Sequence, residues 1–278
     1  NLNILNFWIK RFKRIYPVLI FVFFTTVLLY FFFGPFYLIT GIVKEFFYSV
    51  FGLANFYFLF NKVDYFNDLN SSPFLHSWSL SIEEQFYFIY PFILLFIFSF
   101  LKSKFFNTVF TIIVVLLITM FVSAIYFENK SAEFVFYFPF LRFWELGLGC
   151  LFYFIKPNTK VNYNVLISFL TILFLLILFI KFEISFVIKN LIIISIVGIF
   201  IITYNKQIFL KHIFENKFLV YLGNISFSIY LWHLPVIYFL DLYFGEQNIV
   251  IPSIFITIFL SFLTYKYIEQ KFRYIKFN

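Results

Sequence analysis

Long apolar segments recur along the whole chain, and they constrain its fold more than any other feature. Runs of about 20 hydrophobic residues alternate with short polar loops, and a helix of that length crosses the roughly 30 Å hydrocarbon core of a bilayer. Only 12% of the residues are charged, against about 25% in a soluble domain. A transmembrane β-barrel would show short segments of alternating polarity instead. The sequence therefore predicts an all-α fold, a polytopic bundle of transmembrane helices.

The pattern predicts about eight spans and one further apolar helix. The predicted spans are residues 17–33, 82–101, 106–127, 138–155, 165–180, 187–204, 218–240 and 249–267. The further helix, residues 46–60, is interrupted by Gly52 and Asn55. We interpret it as an interfacial or re-entrant helix on the outer face.

The distribution of basic residues supports this topology. With residues 46–60 kept out of the membrane, 15 of the 21 lysines and arginines fall on the cytoplasmic side and five on the outer side, while Arg142 lies in a span. Such a bias predicts that both ends are cytoplasmic. The basic residues therefore do not indicate a nucleic-acid partner. The single cysteine, Cys150, excludes an internal disulfide framework, and neither repeat nor linker divides residues 1–278, so we expect one domain.

The segment HSWSLSIEEQFYFIYPF, residues 76–92, concentrates polar groups at the start of an apolar helix. Ser81 and Glu84 have the spacing of a capping box, and carboxylates in a first turn complement the helix dipole. This structural interpretation accounts for Glu84. It accounts less well for Glu83 and leaves His76 and Trp78 unexplained.

Three ionisable groups lie deep in other predicted spans. Each costs roughly 2.5–3.5 kcal/mol to insert into a membrane, so the presence of each calls for a functional or structural role. Arg142 and Glu145 are three residues apart on one helical face and can pair. His233 is predicted in the outer half of its span. Arg142 and Glu83 are predicted near the outer ends of their own spans, at a similar depth. We expect a polar cavity that opens to the outer side.

Structural roles remain open for the same residues. The pair of Arg142 and Glu145 could serve only to join two helices. His233 precedes Pro235, which leaves the carbonyl of Leu231 without its helical donor, and the histidine could serve the local backbone.

The basic cluster Lys10, Arg11, Lys13 and Arg14 precedes the first predicted span. It can act as a cytoplasmic anchor by the positive-inside rule. It could also bind a phosphorylated ligand, because arginine matches the geometry of phosphate oxygens.

Five segments stand in order along the chain: KRFKRIYP (residues 10–17), HSWSLSIEEQFYFIYP (76–91), RFWELGLGCL (142–151), LGNISFSIYLWHLPVI (222–237) and YIEQKFR (267–273). In sequence and spacing they resemble the motifs of the acyltransferase-3 superfamily of bacterial membrane acyltransferases, which O-acylate surface glycans. Lys10 replaces the first arginine of the family's basic motif, whereas Arg11 and Arg14 match it.

One departure from the family pattern concerns the N-terminus. In the family two more spans come first, and one carries an arginine followed, ten residues later, by an essential histidine. This chain begins where the third family helix would begin, so we expect an N-terminally truncated domain that lacks the main catalytic histidine and is inactive without those helices. The hydrolase-like domain of some relatives is not expected after Arg273.

The resemblance implies an enzyme of the bacterial cytoplasmic (inner) membrane that moves an acyl group, most often acetyl, from acyl-coenzyme A to an extracytoplasmic glycan such as lipopolysaccharide or a lipid-linked sugar. Acyl-CoA is then a substrate, and no metal or tightly bound cofactor is expected. The implied catalytic candidates are Glu83, Glu84, His76, Arg142, Glu145 and His233. The donor-binding candidates are Lys10, Arg11 and Arg14, and the acceptor-binding candidates are Trp78, Ser79 and Tyr87.

Two other classes of protein stay open. A transporter or lipid flippase also carries charges within the membrane and broken helices. A glycosyltransferase or polysaccharide polymerase should carry a large outer loop, whereas the longest polar loop here has about twenty residues. Neither class explains five motifs in register. The acyl group, the acceptor and the choice between Glu83 and Glu84 stay open.

Overall fold

The computed structural model describes residues 3–65, 71–100, 106–153, 170, 185–203, 214–245 and 249–275. In these ranges the regular structure is helical, without a strand, as the apolar pattern predicts. The helices are α1 (Ile4–Phe33), α2 (Ile39–Val50), α3 (Ala54–Phe60), α4 (Ser77–Phe100), α5 (Phe106–Glu128), α6 (Ala132–Tyr137), α7 (Phe143–Phe152), α8 (Phe186–Thr203), α9 (Lys217–Phe244), α10 (Val250–Thr264) and α11 (Gln270–Arg273). Short 3-10 turns lie at Phe36–Leu38 and Pro139–Leu141, and a π turn at Tyr265–Glu269 joins α10 to α11.

Five helical segments of the described chain are long and apolar enough to cross a membrane. They are Ile4–Phe33, Phe110–Glu128, Phe186–Thr203, Lys217–Phe244 and Val250–Arg273. They support a polytopic membrane protein, while the total of eight spans stays a prediction. The span predicted at residues 165–180 lies outside the described residues.

The predicted span at residues 138–155 is wrong in its first part. Its described residues, 138–153, form a 3-10 turn followed by the ten-residue helix α7. Pro139 has no N–H to donate and disfavours a helical conformation in the residue before it. Phe138 is accordingly extended, and α6 ends at Tyr137.

Contacts divide the chain into two units, one of residues 1–99 with 222–278 and one of residues 100–221. In the first unit α1 is central. Its residues Val18, Leu19, Val22 and Phe23 are fully buried, at the spacing of one helical face. Helix α4 runs antiparallel beside α1.

Ring contacts show this direction of α4. The ring of Trp8 stacks on Phe88 with centroids 5.4 Å apart, and Phe23 meets His76 at 5.9 Å. The start of α1 therefore lies beside the middle of α4, and the middle of α1 beside the start of α4.

Residues 46–60, predicted to form an interfacial or re-entrant helix, form the last turn of α2 and the whole of the short helix α3. The 12 residues of α2 rise about 18 Å, too little to cross a bilayer. Polar contacts hold the turn between them against α4: Ser49 Oγ lies 2.7 Å from Ser77 Oγ, and the N–H of Ala54 donates to Ser81 Oγ at 3.1 Å. Gln85 donates to the carbonyl of Gly52 at 2.8 Å. Ser77, Ser81 and Gln85 follow one another at intervals of four residues, so one face of α4 carries this contact.

In the second unit, α5, α7 and α8 pack around a small apolar core. The ring of Trp144 meets Phe121 with centroids 4.9 Å apart, and Ala124 is fully buried nearby. Gly147 allows close packing, because a Cβ there would lie 2.5 Å from Leu117.

Candidate active site

A cavity of about 260 Å³ lies within the first unit, between α1, α4 and α9. Its charged groups are the guanidinium groups of Arg11 and Arg14 and the carboxyl group of Glu83. Its lining residues are Arg11, Arg14, Ile15, Ser79, Leu80, Glu83, Tyr87, Ser226, Phe227 and Tyr230. Ser79, Glu83 and Tyr87 are spaced by four residues and form the face of α4 that carries the site.

The two neighbouring glutamates have different surroundings in the structure. Glu83 lines the cavity, and the Tyr87 hydroxyl lies 3.4 Å from its Oε2. Glu84 points elsewhere, because one helical position rotates a side chain by about 100°. The Tyr16 hydroxyl donates to Glu84 Oε2 at 3.2 Å, and Gly52 packs against the same carboxylate.

The predicted capping box of Ser81 and Glu84 is wrong. Helix α4 begins at Ser77, one turn earlier, so Ser81 lies in the second turn. Its hydroxyl donates to the Ser77 carbonyl at 3.0 Å and accepts from the N–H of Ala54. Ser81 therefore anchors the turn between α2 and α3.

Arg11 is held between aromatic rings. Its guanidinium carbon lies 4.3 Å from the ring centroid of Tyr87 and 5.6 Å from that of Phe7. The indole N–H of Trp8 donates to the Tyr87 carbonyl at 3.2 Å and joins α1 to α4 at the same level. These cation–π contacts place a cation at the cavity wall, and among the described residues no carboxylate forms an ion pair with it.

The structure brings together groups that the sequence analysis assigned to opposite sides of the membrane. The basic cluster was expected before the first span and Glu83 near the outer end of another. Helix α1 begins at Ile4, 13 residues before the predicted span, so Arg11 and Arg14 are helical residues. Because α4 is antiparallel to α1, Glu83 lies level with them.

The other two basic residues of the cluster do not line the cavity. The side chain of Lys10 is exposed. Lys13 Nζ donates to the carbonyl of Ile275 at 2.6 Å, which brings the beginning of α1 beside the residues that follow α11.

Two histidines adjoin the cavity without lining it. His76 is 2% exposed, and its ring centroid lies 5.0 Å from that of His233 and 5.1 Å from that of Tyr230. Burial, and next the neighbouring His233, lower the pKa of His76 well below its usual range. Its ring is therefore neutral at physiological pH.

His233 bonds to the local backbone, which is the structural role that the sequence left open for it. Its Nδ1 lies 2.5 Å from the carbonyl of Tyr230, three residues earlier. A carbonyl only accepts, so Nδ1 carries the proton and Nε2 of the neutral ring is left as an acceptor.

Tyr230 is the main site residue that the sequence analysis missed. Its hydroxyl lies 2.6 Å from Ser79 Oγ and donates to the backbone carbonyl of His76. Tyr230 precedes His233 by three residues in the fourth motif, so the spacing already placed both on one face of α9.

Two of the three predicted acceptor-binding residues line the cavity, and the third does not. Ser79 and Tyr87 line the cavity. Trp78 is only 7% exposed and contacts Tyr65 edge-on at 5.8 Å, so its ring is covered by protein.

Arg142 and Glu145 belong to the second unit and form the predicted ion pair, with Arg142 NH1 2.8 Å from Glu145 Oε1. Asn190 of α8 donates to the same oxygen at 2.9 Å. The guanidinium carbon of Arg142 lies 5.0 Å from the ring centroid of Phe186. Through Asn190 and Phe186 the ion pair joins α7 to α8, which is the structural role that the sequence left open for these two residues.

A bundle of apolar helices with two arginines and a carboxyl group around one cavity is typical of integral-membrane proteins with a polar site. The acyltransferase-3 family model, described as an acyltransferase domain, matches residues 1–266. The chain therefore belongs to this family of acyltransferases.

Curated relatives carry names of the same activity. O-acetyltransferase OatA of Staphylococcus aureus (strain NCTC 8325 / PS 47) is 28% identical over 293 residues, covering 98% of this chain and 48% of that protein. A putative O-acetyltransferase of Staphylococcus aureus strain COL is 31% identical, covering 96% of this chain and 47% of that protein. The chain thus spans about half the length of these relatives. No solved structure is significantly similar to it.

Proposed function

We propose that this chain is an integral-membrane O-acyltransferase domain that uses acyl-CoA as donor and a hydroxyl of an extracytoplasmic glycan or lipid-linked sugar as acceptor. Acetyl is the proposed acyl group, in keeping with the names of the relatives. The observation that carries the proposal is the cavity in which Arg11 and Arg14 line the wall together with Glu83 and four hydroxyl-bearing side chains, those of Ser79, Tyr87, Ser226 and Tyr230.

The donor is proposed to bind through its phosphates. Guanidinium groups match phosphate oxygens in geometry and keep their charge at any physiological pH. Arg11 is oriented by the rings of Tyr87 and Phe7 and would present its N–H donors to those phosphates.

The chemical step moves the acyl group from the sulfur of coenzyme A to the oxygen of the acceptor hydroxyl. The acceptor hydroxyl oxygen attacks the thioester carbonyl carbon, the carbon–sulfur bond breaks, and the hydroxyl proton passes through a base to the departing thiolate of coenzyme A. The family resemblance assigns the base to a histidine on the helices that precede the third family helix. Glu83 would orient that base or hold the acceptor, and the oxyanion would be stabilised by nearby donors.

The remaining candidates take supporting roles in this proposal. His76 and His233 support the Tyr230 face of the cavity, and Glu84 holds the α2–α3 turn. Arg142 and Glu145 would position the acyl group or serve only to join α7 and α8. Lys10 would add to the positive potential around the donor.

We propose that the protein lies in the bacterial cytoplasmic membrane with both ends inside. The contact of Lys13 with the carbonyl of Ile275 supports placing both ends on one side. The bias of basic residues supports the cytoplasmic side.

The test compares Glu83→Gln with Glu84→Gln in the full-length protein in native membranes, with transfer of labelled acetyl from acetyl-CoA as the readout. The two glutamates are adjacent and chemically identical, so each controls for the other. We expect Glu83→Gln to lower transfer by at least about tenfold, the scale of a lost catalytic contact. Glu84→Gln should keep more activity per folded molecule. Unchanged transfer in Glu83→Gln would contradict the proposal.

A transporter or flippase is the second candidate, because buried charges near helix ends also mark transport pathways. It predicts movement of substrate without covalent change. Mass analysis of the acceptor after incubation with acetyl-CoA separates the two, since only an acyltransferase adds the mass of the acyl group.

A further inference from the structure

Pro91 leaves one backbone carbonyl of α4 without its helical donor. It lies inside the helix, which continues past it to Phe100. Proline has no backbone N–H, so the carbonyl four residues earlier, that of Tyr87, loses its bond within the helix. In a membrane such a carbonyl is costly to leave free, and proline is tolerated where a neighbouring helix supplies a donor. The carbonyl of Tyr87 is therefore a place where another helix can bind α4.

Trp8 of α1 supplies that donor. Its indole N–H donates to the Tyr87 carbonyl at 3.2 Å. The indole ring stacks on Phe88 with centroids 5.4 Å apart and planes 8° apart, and it meets Phe92 edge-on at 5.7 Å. A directional hydrogen bond and two ring contacts thus act together and define one position of α1 along α4.

Tyr87 also receives two contacts from α1 at its side chain. The guanidinium carbon of Arg11 lies 4.3 Å from the centroid of its ring, and Phe7 meets the ring edge-on at 6.5 Å. The Tyr87 hydroxyl lies 3.4 Å from Glu83 Oε2. The residue that Trp8 binds by its backbone therefore contacts both Arg11 and Glu83 of the cavity by its side chain.

The contact between Arg11 and the Tyr87 ring depends on the register of the two helices. A cation–π attraction requires the cation within about 6 Å of the ring centroid. A slip of α1 by one residue would shift Arg11 by about 1.5 Å and turn it by about 100°. The bond from Trp8 opposes such a slip, because a hydrogen bond weakens steeply as its distance and angle depart from their optimum.

We propose that Trp8 is a positioning residue for Arg11. By binding the carbonyl that Pro91 leaves free, Trp8 fixes the register of α1 against α4 and keeps the Arg11 guanidinium on the Tyr87 ring, ready for the phosphates of the donor. This inference rests on the proposed donor site. Trp8 does not line the cavity, so its loss acts on donor binding rather than on the chemical step.

The test is Trp8→Phe in the full-length protein in membranes, with initial rates measured over a range of acetyl-CoA concentrations. Phenylalanine keeps an aromatic ring against Phe88 and removes the N–H. We expect the KM for acetyl-CoA to rise about threefold to tenfold, the scale of one lost cation–π contact, with a much smaller change in kcat. An unchanged KM in folded Trp8→Phe protein would overturn the inference.

Trp232→Phe is the matched control. The indole N–H of Trp232 donates to Thr264 Oγ1 at 2.9 Å and also joins two helices of the first unit, α9 and α10. We expect its loss to lower the thermal midpoint without raising the KM for acetyl-CoA. An equal rise in KM for both tryptophan variants would mean that Trp8 is merely structural and would overturn the inference.

Pro91→Ala separates positioning from stability. Alanine supplies the missing N–H, so the Tyr87 carbonyl is satisfied within α4. In this background Trp8→Phe should lower the thermal midpoint less than it does in the parent, but it should still raise the KM, because the link to α1 is lost. A KM equal to that of Pro91→Ala alone would overturn the inference. The double variant also serves if Trp8→Phe alone does not fold.

The Arg11→Ala background makes the test specific. Positioning through Arg11 predicts that Trp8→Phe adds no further rise in KM once the guanidinium is gone, whereas additive effects would overturn the inference. If Arg11→Ala leaves the KM for acetyl-CoA unchanged, the proposed donor site fails and this inference fails with it. If Arg11→Ala raises KM and Trp8→Phe does not, only the present inference fails.

Discussion

The Tyr230 hydroxyl lies 2.6 Å from Ser79 Oγ, so a side chain in the middle of α9 meets the first turn of α4 at the wall of the cavity. The same hydroxyl donates to the backbone carbonyl of His76. One tyrosine therefore fixes the start of the helix that carries Glu83.

Tyr230→Phe removes both contacts of that hydroxyl. We expect it to lower the free energy of unfolding by about 1–3 kcal/mol, because the carbonyl of His76 loses one of its donors and the Ser79 hydroxyl loses a partner. Thermal unfolding of the purified protein in detergent measures the loss. Tyr243→Phe is the control, since the Tyr243 hydroxyl also donates to a carbonyl, that of Phe33, but the residue is 57% exposed. Equal losses in both variants would contradict the prediction.

Gly52→Ala should destabilise the turn that packs on α4. Gly52 has φ +67°, a conformation that alanine rarely adopts, and a Cβ there would lie 2.6 Å from Glu84 Oε2. We expect a loss of about 1–3 kcal/mol in the free energy of unfolding.

Gly41→Ala is the control for Gly52→Ala. Gly41 lies in α2, and a Cβ there would meet nothing within 4 Å. Alanine should leave stability unchanged or raise it by up to about 1 kcal/mol. A Gly52→Ala protein as stable as the Gly41→Ala protein would show that the turn does not press on Glu84.

Glu45 predicts a pH dependence of stability. Its carboxyl group accepts a hydrogen bond from the Ser72 hydroxyl, and burial raises its pKa from 4.5 to about 7. The folded protein therefore holds this proton more tightly than the unfolded chain. The contribution to the free energy of unfolding is largest below pH 4.5 and is lost as the pH rises to 7, by up to about 3 kcal/mol.

The measurement for Glu45 is the thermal midpoint at pH 5 and pH 8 in the parent protein and in Glu45→Gln. The fall in midpoint between the two pH values should be smaller in Glu45→Gln, because the amide does not titrate. The same fall in both proteins would assign the pH dependence to other groups.

The pair of Arg142 and Glu145 predicts a non-additive result in the second unit. Arg142→Met leaves the Glu145 carboxylate, which also accepts from Asn190, without its cation. We expect it to lower the free energy of unfolding by about 3–5 kcal/mol. The double variant Arg142→Met with Glu145→Leu should be less destabilised than Arg142→Met alone. A double variant that loses the sum of the two single effects would show that the residues do not interact.

Much of this architecture follows from the sequence alone. Apolar length and the bias of basic residues indicated a polytopic helical membrane protein, and the five motifs indicated the acyltransferase-3 family. The spacing of Arg142 and Glu145 predicted their pairing, because contacts three or four residues apart are set by the geometry of a single helix. The break before α7 could also have been found, since Pro139 stands in the sequence.

Only the tertiary structure decided which groups share the cavity. Tyr230 and Ser79 are 151 residues apart, and no periodicity within one helix relates them. Whether Glu83 or Glu84 faces the cavity depends on how α4 is rotated against α1 and α9, a difference of about 100° per residue. The sequence by itself determined the helical class and the family, because hydrophobic length acts locally and the motifs are short stretches of the chain. Which faces of α1, α4 and α9 meet was decided by packing, because it depends on side chains that are distant in the chain.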